Sequence, residues 1–154
     1  MSDRYDVVIV GGGMIGLSLA AALANANFSV AVIESKAPHL DWSVTDYDAR
    51  VSAIHLGTQN FLEAISVWSS VRTQCYSPLE RMEVWDGLGG GRLCFDAAEI
   101  SQNVLGYIVE NRELVRVLWE YCEEHNHVSL FASTNIERVA KNQVTLSDGD
   151  VLVA

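Results

Sequence analysis

The sequence predicts an α/β fold built on a parallel sheet, and three stretches carry that prediction. An apolar run ends at Val10, a glycine-rich turn opens an alanine-rich stretch of helical length, and a second apolar run closes on Glu34. Strand, helix and strand in that order make a βαβ unit, whose two strands lie parallel because the helix carries the chain back. Strand pairs joined by tight turns later in the chain add a hairpin and a meander.

Tyr5-Asp6-Val7-Val8-Ile9-Val10 is nearly all apolar, as expected of a strand buried on both faces. Gly11-Gly12-Gly13-Met14-Ile15-Gly16 fits G-x-G-x-x-G with Gly11, Gly13 and Gly16 in the required places. Gly11 permits the tight strand-to-helix turn, Gly13 lets a diphosphate approach the backbone, and Gly16 lets the helix lie close to the strand. The helix stretch Leu17–Ala24 is rich in residues that lose little entropy on coiling. Its start, around Met14 and Ile15, offers free N–H groups and the positive end of a dipole to phosphates.

Asn27 stands at the helix-to-strand corner, where a left-handed residue is needed and Asn tolerates it. The second strand, Val30–Ile33, delivers Glu34 with Ser35 beside it. Glu34 lies 23 residues after Gly11, close to the ~20 expected of an acid that bonds a ribose hydroxyl. A carboxylate there repels a 2′-phosphate and so disfavours NADP in this site. The assembly reads as a Rossmann-like dinucleotide site, and the fingerprint does not separate FAD from NAD.

Ser35 to Tyr47 has no period and reads as a surface excursion. It leads into Asp48-Ala49-Arg50-Val51-Ser52-Ala53-Ile54. Arg50 is either a solvated loop charge or a bidentate phosphate clamp. Thr58 is placed to cap a helix whose Phe61, Leu62, Ile65 and Trp68 fall at helical spacing. Arg81–Asp86 and Arg92–Asp96 alternate with period two across Gly87-Leu88-Gly89-Gly90-Gly91, a hairpin of two half-buried strands. No helix pattern follows that triple glycine, so it is not a second phosphate loop.

Gly106–Glu110 is a further apolar strand, followed by a helix with Leu114, Val117, Leu118, Tyr121 and Cys122 on one stripe. Asn111 suits its N-cap and Glu113 its first turn. The tail reads as strands Val128–Phe131, Asn135–Ala140, Val144–Ser147 and Val151–Val153, linked by turn-forming residues.

The 154 residues amount to about one domain, and 49% hydrophobic content supports a real core. A net charge of −10 argues against nucleic acid and against electrostatic attachment to anionic lipid. Cys75, Cys94 and Cys122 form no C-x-x-C pair and read as reduced thiols of a cytoplasmic protein, with no metal site. Asp3, Arg4 and Asp6 precede the first apolar run, which is no signal peptide. Nothing approaches the ~18 continuous apolar residues of a membrane span, so a soluble protein is expected.

With these stretches assembled, the sequence resembles the FAD-dependent aromatic-ring hydroxylases of ubiquinone biosynthesis, within the p-hydroxybenzoate-hydroxylase-like flavin monooxygenases. The resemblance covers the whole chain. It rests on the glycine stretch from Val8 to Gly16, on Asp48–Ile54, and on Met82-Glu83-Val84-Trp85-Asp86. Phe95-Asp96-Ala97-Ala98-Glu99 and Leu105-Gly106-Tyr107-Ile108-Val109-Glu110-Asn111 look most like the demethoxyubiquinol hydroxylase branch.

That resemblance implies FAD as cofactor, with cofactor-binding residues Gly11, Gly13, Met14, Ile15, Gly16, Glu34, Ser35, Arg50 and Asn111. Glu34 would bond the adenosine ribose, Arg50 the flavin side or the pyrophosphate, and Asn111 the phosphate–ribityl region. The implied reaction is hydroxylation of a polyprenyl phenol or quinol through a flavin hydroperoxide, with NAD(P)H as electron donor and no catalytic acid or base in this stretch.

The family's later Ala-Asp-Gly and Gly-Asp motifs and its substrate domain are not matched. The chain therefore reads as the N-terminal part of an FAD-binding domain, with an interleaved sheet region beginning at about 81–110, inactive by itself. The resemblance also implies partners in a ubiquinone-biosynthesis complex and a peripheral place at the inner membrane, and uncovered sheet edges imply self-association or swapping. Two readings from other classes stand beside it: a nonenzymatic FAD- or NAD-binding module, and an NAD-dependent dehydrogenase. The dehydrogenase lacks a proton-transfer candidate, since His39, His55, His125 and His127 are scattered.

Overall fold

The most deeply buried strand is β3 (Val30–Glu34), whose Val30, Ala31, Val32 and Ile33 are all at most 2% exposed. The computed structural model describes residues 2–43 and 45–154. They fall into two units, Met1–Trp42 with Leu114–Ala154, and Ser43–Glu113.

In the first unit β3 is the centre of a three-stranded parallel sheet. β2 (Val7–Val10) pairs with it on one side and β9 (Val128–Ala132) on the other. Helix α1 (Met14–Asn25) carries the chain from β2 to β3 and buries Leu17, Ala20, Ala21 and Ala24. Asn27 takes the left-handed conformation at the corner, with φ 64°. Helix α3 (Asn111–Glu124) buries Leu114, Val117, Leu118 and Cys122 of its predicted stripe, leaves Tyr121 of that stripe half-buried, and also buries Trp119, 5% exposed. It touches α1 where the Cys122 thiol donates to the Leu17 carbonyl (3.6 Å) and the Tyr121 hydroxyl to Asn25 Oδ1 (2.7 Å).

A four-stranded sheet completes this unit in the order β1 (Ser2–Arg4), β12 (Val151–Val153), β11 (Gln143–Leu146), β10 (Ile136–Ala140). Its Val144, Leu146 and Leu152 pack on Ala31 and Ile33 of β3. The N-terminal apolar run therefore departs from expectation. Tyr5 belongs to no strand and gives its N–H to Val153 (2.9 Å), while residues 2–4 form a separate strand parallel to β12. Strand β2 is also less buried than its composition suggests, with Val10 62% exposed at the open edge of the sheet.

In the second unit, β4 (Val51–His55), β8 (Gly106–Glu110) and β5 (Tyr76–Leu79) form an antiparallel sheet with β8 in the middle. β4 runs directly into α2 (Leu56–Ala64), and the helix cap is His55, not Thr58. With no linker between strand and helix, the last strand residue faces the first free N–H groups. His55 Nδ1 accepts from the Thr58 N–H at 3.2 Å. The helical stripe holds for Leu62 and Ile65, 3% and 4% exposed, but not for Phe61, which is 40% exposed. Trp68 lies beyond the helix in a short 3-10 turn and packs on Tyr76 and Tyr107.

The hairpin β6 (Arg81–Trp85) and β7 (Arg92–Asp96) forms as predicted but is exposed on both faces. Met82 faces Phe95 and Val84 faces Leu93, an apolar ladder left exposed among the described residues. On the opposite face Glu83 lies between Arg81 and Arg92, beside the exposed Trp85. Among the described residues, no helix is long and apolar enough to cross a membrane.

Candidate dinucleotide site

Three glycines shape the turn between β2 and α1, each for a different reason. Gly11 takes φ +106°, a conformation L side chains rarely adopt. At Gly16 a Cβ would stand 2.0 Å from the Gly11 carbonyl oxygen, so the turn can close only on a hydrogen atom. At Gly13, by contrast, a Cβ would meet nothing within 4 Å. The space beside Gly13 is open, and a methyl group there would occupy it.

Gly13 is also the N-cap of α1, with no side chain bonding the helix end and no acid in the first turn. The first N–H groups of a helix have no partners within it. Here they meet a shallow groove of about 440 Å³ along Gly11, Gly13, Met14 and Ile15. An uncapped helix start, with no acid in its first turn and opening onto space, fits an anionic diphosphate.

Glu34 ends β3 across from this turn. Its Oε2 accepts from the Gly12 N–H at 2.7 Å, and its Oε1 from the Lys36 N–H at 3.0 Å and the Ser35 hydroxyl at 3.3 Å. The Lys36 bond, more than the Gly12 bond, holds the carboxyl below its ordinary pKa in spite of partial burial. The carboxylate is thus ionised and fixed, and Oε2, which accepts a single bond, keeps a lone pair for a ligand hydroxyl. A recess of about 140 Å³ beside it is lined by Gly11, Glu34, Ser35, Thr134 and Ile136.

Arg50 and Asn111 lie in the second unit, on neighbouring main-chain segments. The Asn111 N–H donates to the Arg50 carbonyl at 2.9 Å. Arg50 is exposed and ends the irregular stretch as predicted. Asn111 is the first residue of α3 and not a cap outside it. Its Oδ1 accepts from the Ser52 hydroxyl at 2.6 Å. That bond leaves the amide NH2 as the group offered to a ligand, the polarity suited to a phosphate or a hydroxyl oxygen.

Sequence reasoning missed several residues around these sites. Gly12 occupies an open position of the fingerprint, yet a Cβ there would stand 2.9 Å from Glu34 Cβ and 3.1 Å from the Trp119 ring. Lys36 acts through its main chain, which no side-chain pattern reveals. Ser52 lies within the Asp48–Ile54 stretch, and its hydroxyl amid apolar residues was the available signal.

The turn, the uncapped helix and the fixed carboxylate together form a candidate dinucleotide site. Residues 6–64 match the family model described as FAD dependent oxidoreductase. The 3-demethoxyubiquinol 3-hydroxylase of Escherichia coli K12 is 38% identical over 125 residues, which cover 81% of this chain and 32% of that protein. Ubiquinone hydroxylase UbiL of Rhodospirillum rubrum is 34% identical over 153 residues, 97% of this chain and 35% of the relative. The chain spans about a third of the length of the curated relatives it matches.

Among solved structures, PqsL of Pseudomonas aeruginosa in complex with 2-aminobenzoylacetate has a TM-score of 0.75 at 23% identity, over 98% of this chain and 41% of that one. The p-nitrophenol 4-monooxygenase PnpA of Pseudomonas putida has a TM-score of 0.69 at 19% identity, over 99% and 39%. These two likenesses establish the shared fold. The match over residues 6–64 is to FAD dependent oxidoreductases, and over most of its length the chain is similar to ubiquinone hydroxylases.

Proposed function

We propose that the protein carrying this chain is an FAD-dependent monooxygenase that hydroxylates the aromatic ring of a polyprenylated ubiquinone precursor. The observation that carries the reading is the similarity to the E. coli 3-demethoxyubiquinol 3-hydroxylase, 38% identical over 125 residues. Because the relatives are about three times as long as the matched stretch, the activity belongs to the whole protein. This chain contributes the adenosine–diphosphate half of the FAD site and is inactive by itself.

In this reading the backbone of Gly11, Gly13, Met14, Ile15 and Gly16 takes the diphosphate. Glu34, with Ser35 beside it, accepts from the adenosine ribose hydroxyls, Arg50 reaches the pyrophosphate or the flavin side, and the Asn111 amide donates to the phosphate–ribityl region. Bound FAD supplies the activation of O2 and the transfer of one oxygen atom to an electron-rich ring. The chain's own residues hold the cofactor and position its charge, and none of them acts as catalytic acid or base. NAD(P)H is the electron donor.

The chain is the N-terminal part of an FAD-binding domain, and the region about 81–110 begins a sheet shared with a substrate domain. The uncovered ladder of Met82, Val84, Leu93 and Phe95 supports that reading. A polyprenyl substrate resides in lipid, which calls for a peripheral place at the inner membrane beside other enzymes of the pathway. When the 154 residues stand alone, the open edge of β2 invites pairing with a second copy. The test is oxygen- and NAD(P)H-dependent hydroxylation of a polyprenyl phenol by the whole protein. Turnover by the 154 residues alone, or no turnover by a folded, FAD-loaded whole protein, contradicts the proposal.

A further inference from the structure

Three consecutive residues where β8 passes into α3 hold the main chain ahead of β4. Glu110 is the register partner of Val51. The Asn111 N–H holds the Arg50 carbonyl at 2.9 Å. Arg112 reaches four residues further back than Arg50. Its Nη2 donates to the Asp46 carbonyl, and its Nη1 lies 3.6 Å from Asp46 Oδ2. The guanidinium is aimed by Glu110, whose Oε2 accepts from Nε at 2.8 Å and whose side chain is only 8% exposed. The Arg50 N–H is taken by Asp48 Oδ1 at 2.9 Å. Both main-chain groups of Arg50 are therefore bonded while its side chain stands in solvent.

We propose that Glu110, Arg112 and Asp46 form a clasp whose task is to position Arg50. It anchors the irregular segment so that the Arg50 guanidinium is presented in one orientation to the diphosphate of a dinucleotide. The inference rests on the reading of Arg50 as an FAD contact. The carboxylate of Asp46 is 71% exposed, and an ion pair that open to water holds little. The hold comes from the main-chain carbonyl, which cannot rotate away, and from a nearly buried carboxylate that fixes the donor. Only a guanidinium can serve both acceptors at once, because its planar fork carries several N–H groups in fixed directions. Arg112 is thus a positioning residue that acts through Arg50.

The test measures FAD dissociation constants by flavin fluorescence for the whole protein stripped of cofactor and reloaded. It compares wild type, Arg112→Gln, Arg50→Ala and the double variant, and records amide hydrogen exchange of Thr45–Arg50 in each. Arg112→Gln is expected to speed that exchange and to weaken FAD roughly tenfold, the weight of one charge-assisted bond. In the Arg50→Ala background it should add less than about twofold, since the group it positions is gone. A general loss of folding would instead weaken FAD equally in both backgrounds, which overturns the proposal, as does unchanged exchange in Arg112→Gln. If Arg50→Ala alone leaves FAD binding intact, the FAD-contact reading fails separately. Glu110→Gln, which keeps the side-chain volume, is read in the same way and replaces Arg112→Gln if that variant does not fold.

Discussion

The carboxylate of Glu34 is tied to the main-chain N–H of Gly12 at 2.7 Å, joining the end of β3 to the glycine turn that precedes α1. The acid proposed to meet the ribose and the turn proposed to meet the diphosphate are therefore joined directly. Glu34→Ala should weaken FAD binding by about 10- to 100-fold, the worth of a hydrogen bond to a charged group. Isothermal titration of the whole protein checks this.

The same carboxyl sets a pH dependence. Its pKa is lowered in the fold from the ordinary 4.5 by the Lys36 and Gly12 N–H groups. The folded state thus binds its proton less tightly than the unfolded chain. The stabilisation is complete above about pH 4.5 and is lost as pH falls through the lower folded value. Urea midpoints measured from pH 6 to pH 3 should fall more in wild type than in Glu34→Gln.

Gly13 and Gly16 should part company under the same substitution. Gly16→Ala places a methyl 2.0 Å from the Gly11 carbonyl, and overpacking of this kind costs ~1–3 kcal/mol or more. Gly13→Ala meets no protein atom within 4 Å and has φ −83°, so it should cost no more than the ~1 kcal/mol by which Ala is the poorer N-cap. Its methyl occupies the groove, and FAD affinity should fall while the melting temperature falls much less than in Gly16→Ala. Equal effects of the two variants on stability would contradict this division.

Glu113 is fully buried and accepts three bonds from Arg72, at 2.8 Å from the main chain and 3.0 and 2.6 Å from the guanidinium. Breaking a buried pair from one side costs about 3–5 kcal/mol. Arg72 is 28% exposed and can be hydrated, so Glu113→Gln should fall at the lower end, about 3 kcal/mol by urea denaturation.

The three thiols should react in a fixed order. Cys94 is exposed, whereas Cys75 and Cys122 are buried. Burial pushes the Cys122 thiol up to about 12. At pH 8, Ellman's reagent should titrate Cys94 at once and the other two only on unfolding.

Much of this fold could be read from local pattern. β2, α1 and β3 declare themselves because an apolar run, three spaced glycines and a terminal acid all lie within thirty-odd residues. What escaped depended on partners distant in sequence. Ser2–Arg4 is polar and becomes a strand only because β12 pairs with it from the other end of the chain. Glu113 looked like a dipole-friendly first-turn acid, and its partner Arg72 lies 41 residues away. The Ser52–Asn111 bond spans 59 residues. His55 was missed as a cap because the sequence does not mark a strand that passes into a helix with no linker. The candidate site follows the same rule: its glycines and acid stand out in local pattern, and the groups that fix them do not.

The most direct measurement is a comparison of FAD and NAD as stabilisers of the 154-residue chain by thermal shift, with absorbance recorded on the purified protein. The account predicts stabilisation by FAD alone, reaching about 2.7 kcal/mol at ~100 times the dissociation constant, with flavin absorbance retained in the bound fraction. Stabilisation by NAD with no response to FAD would contradict it.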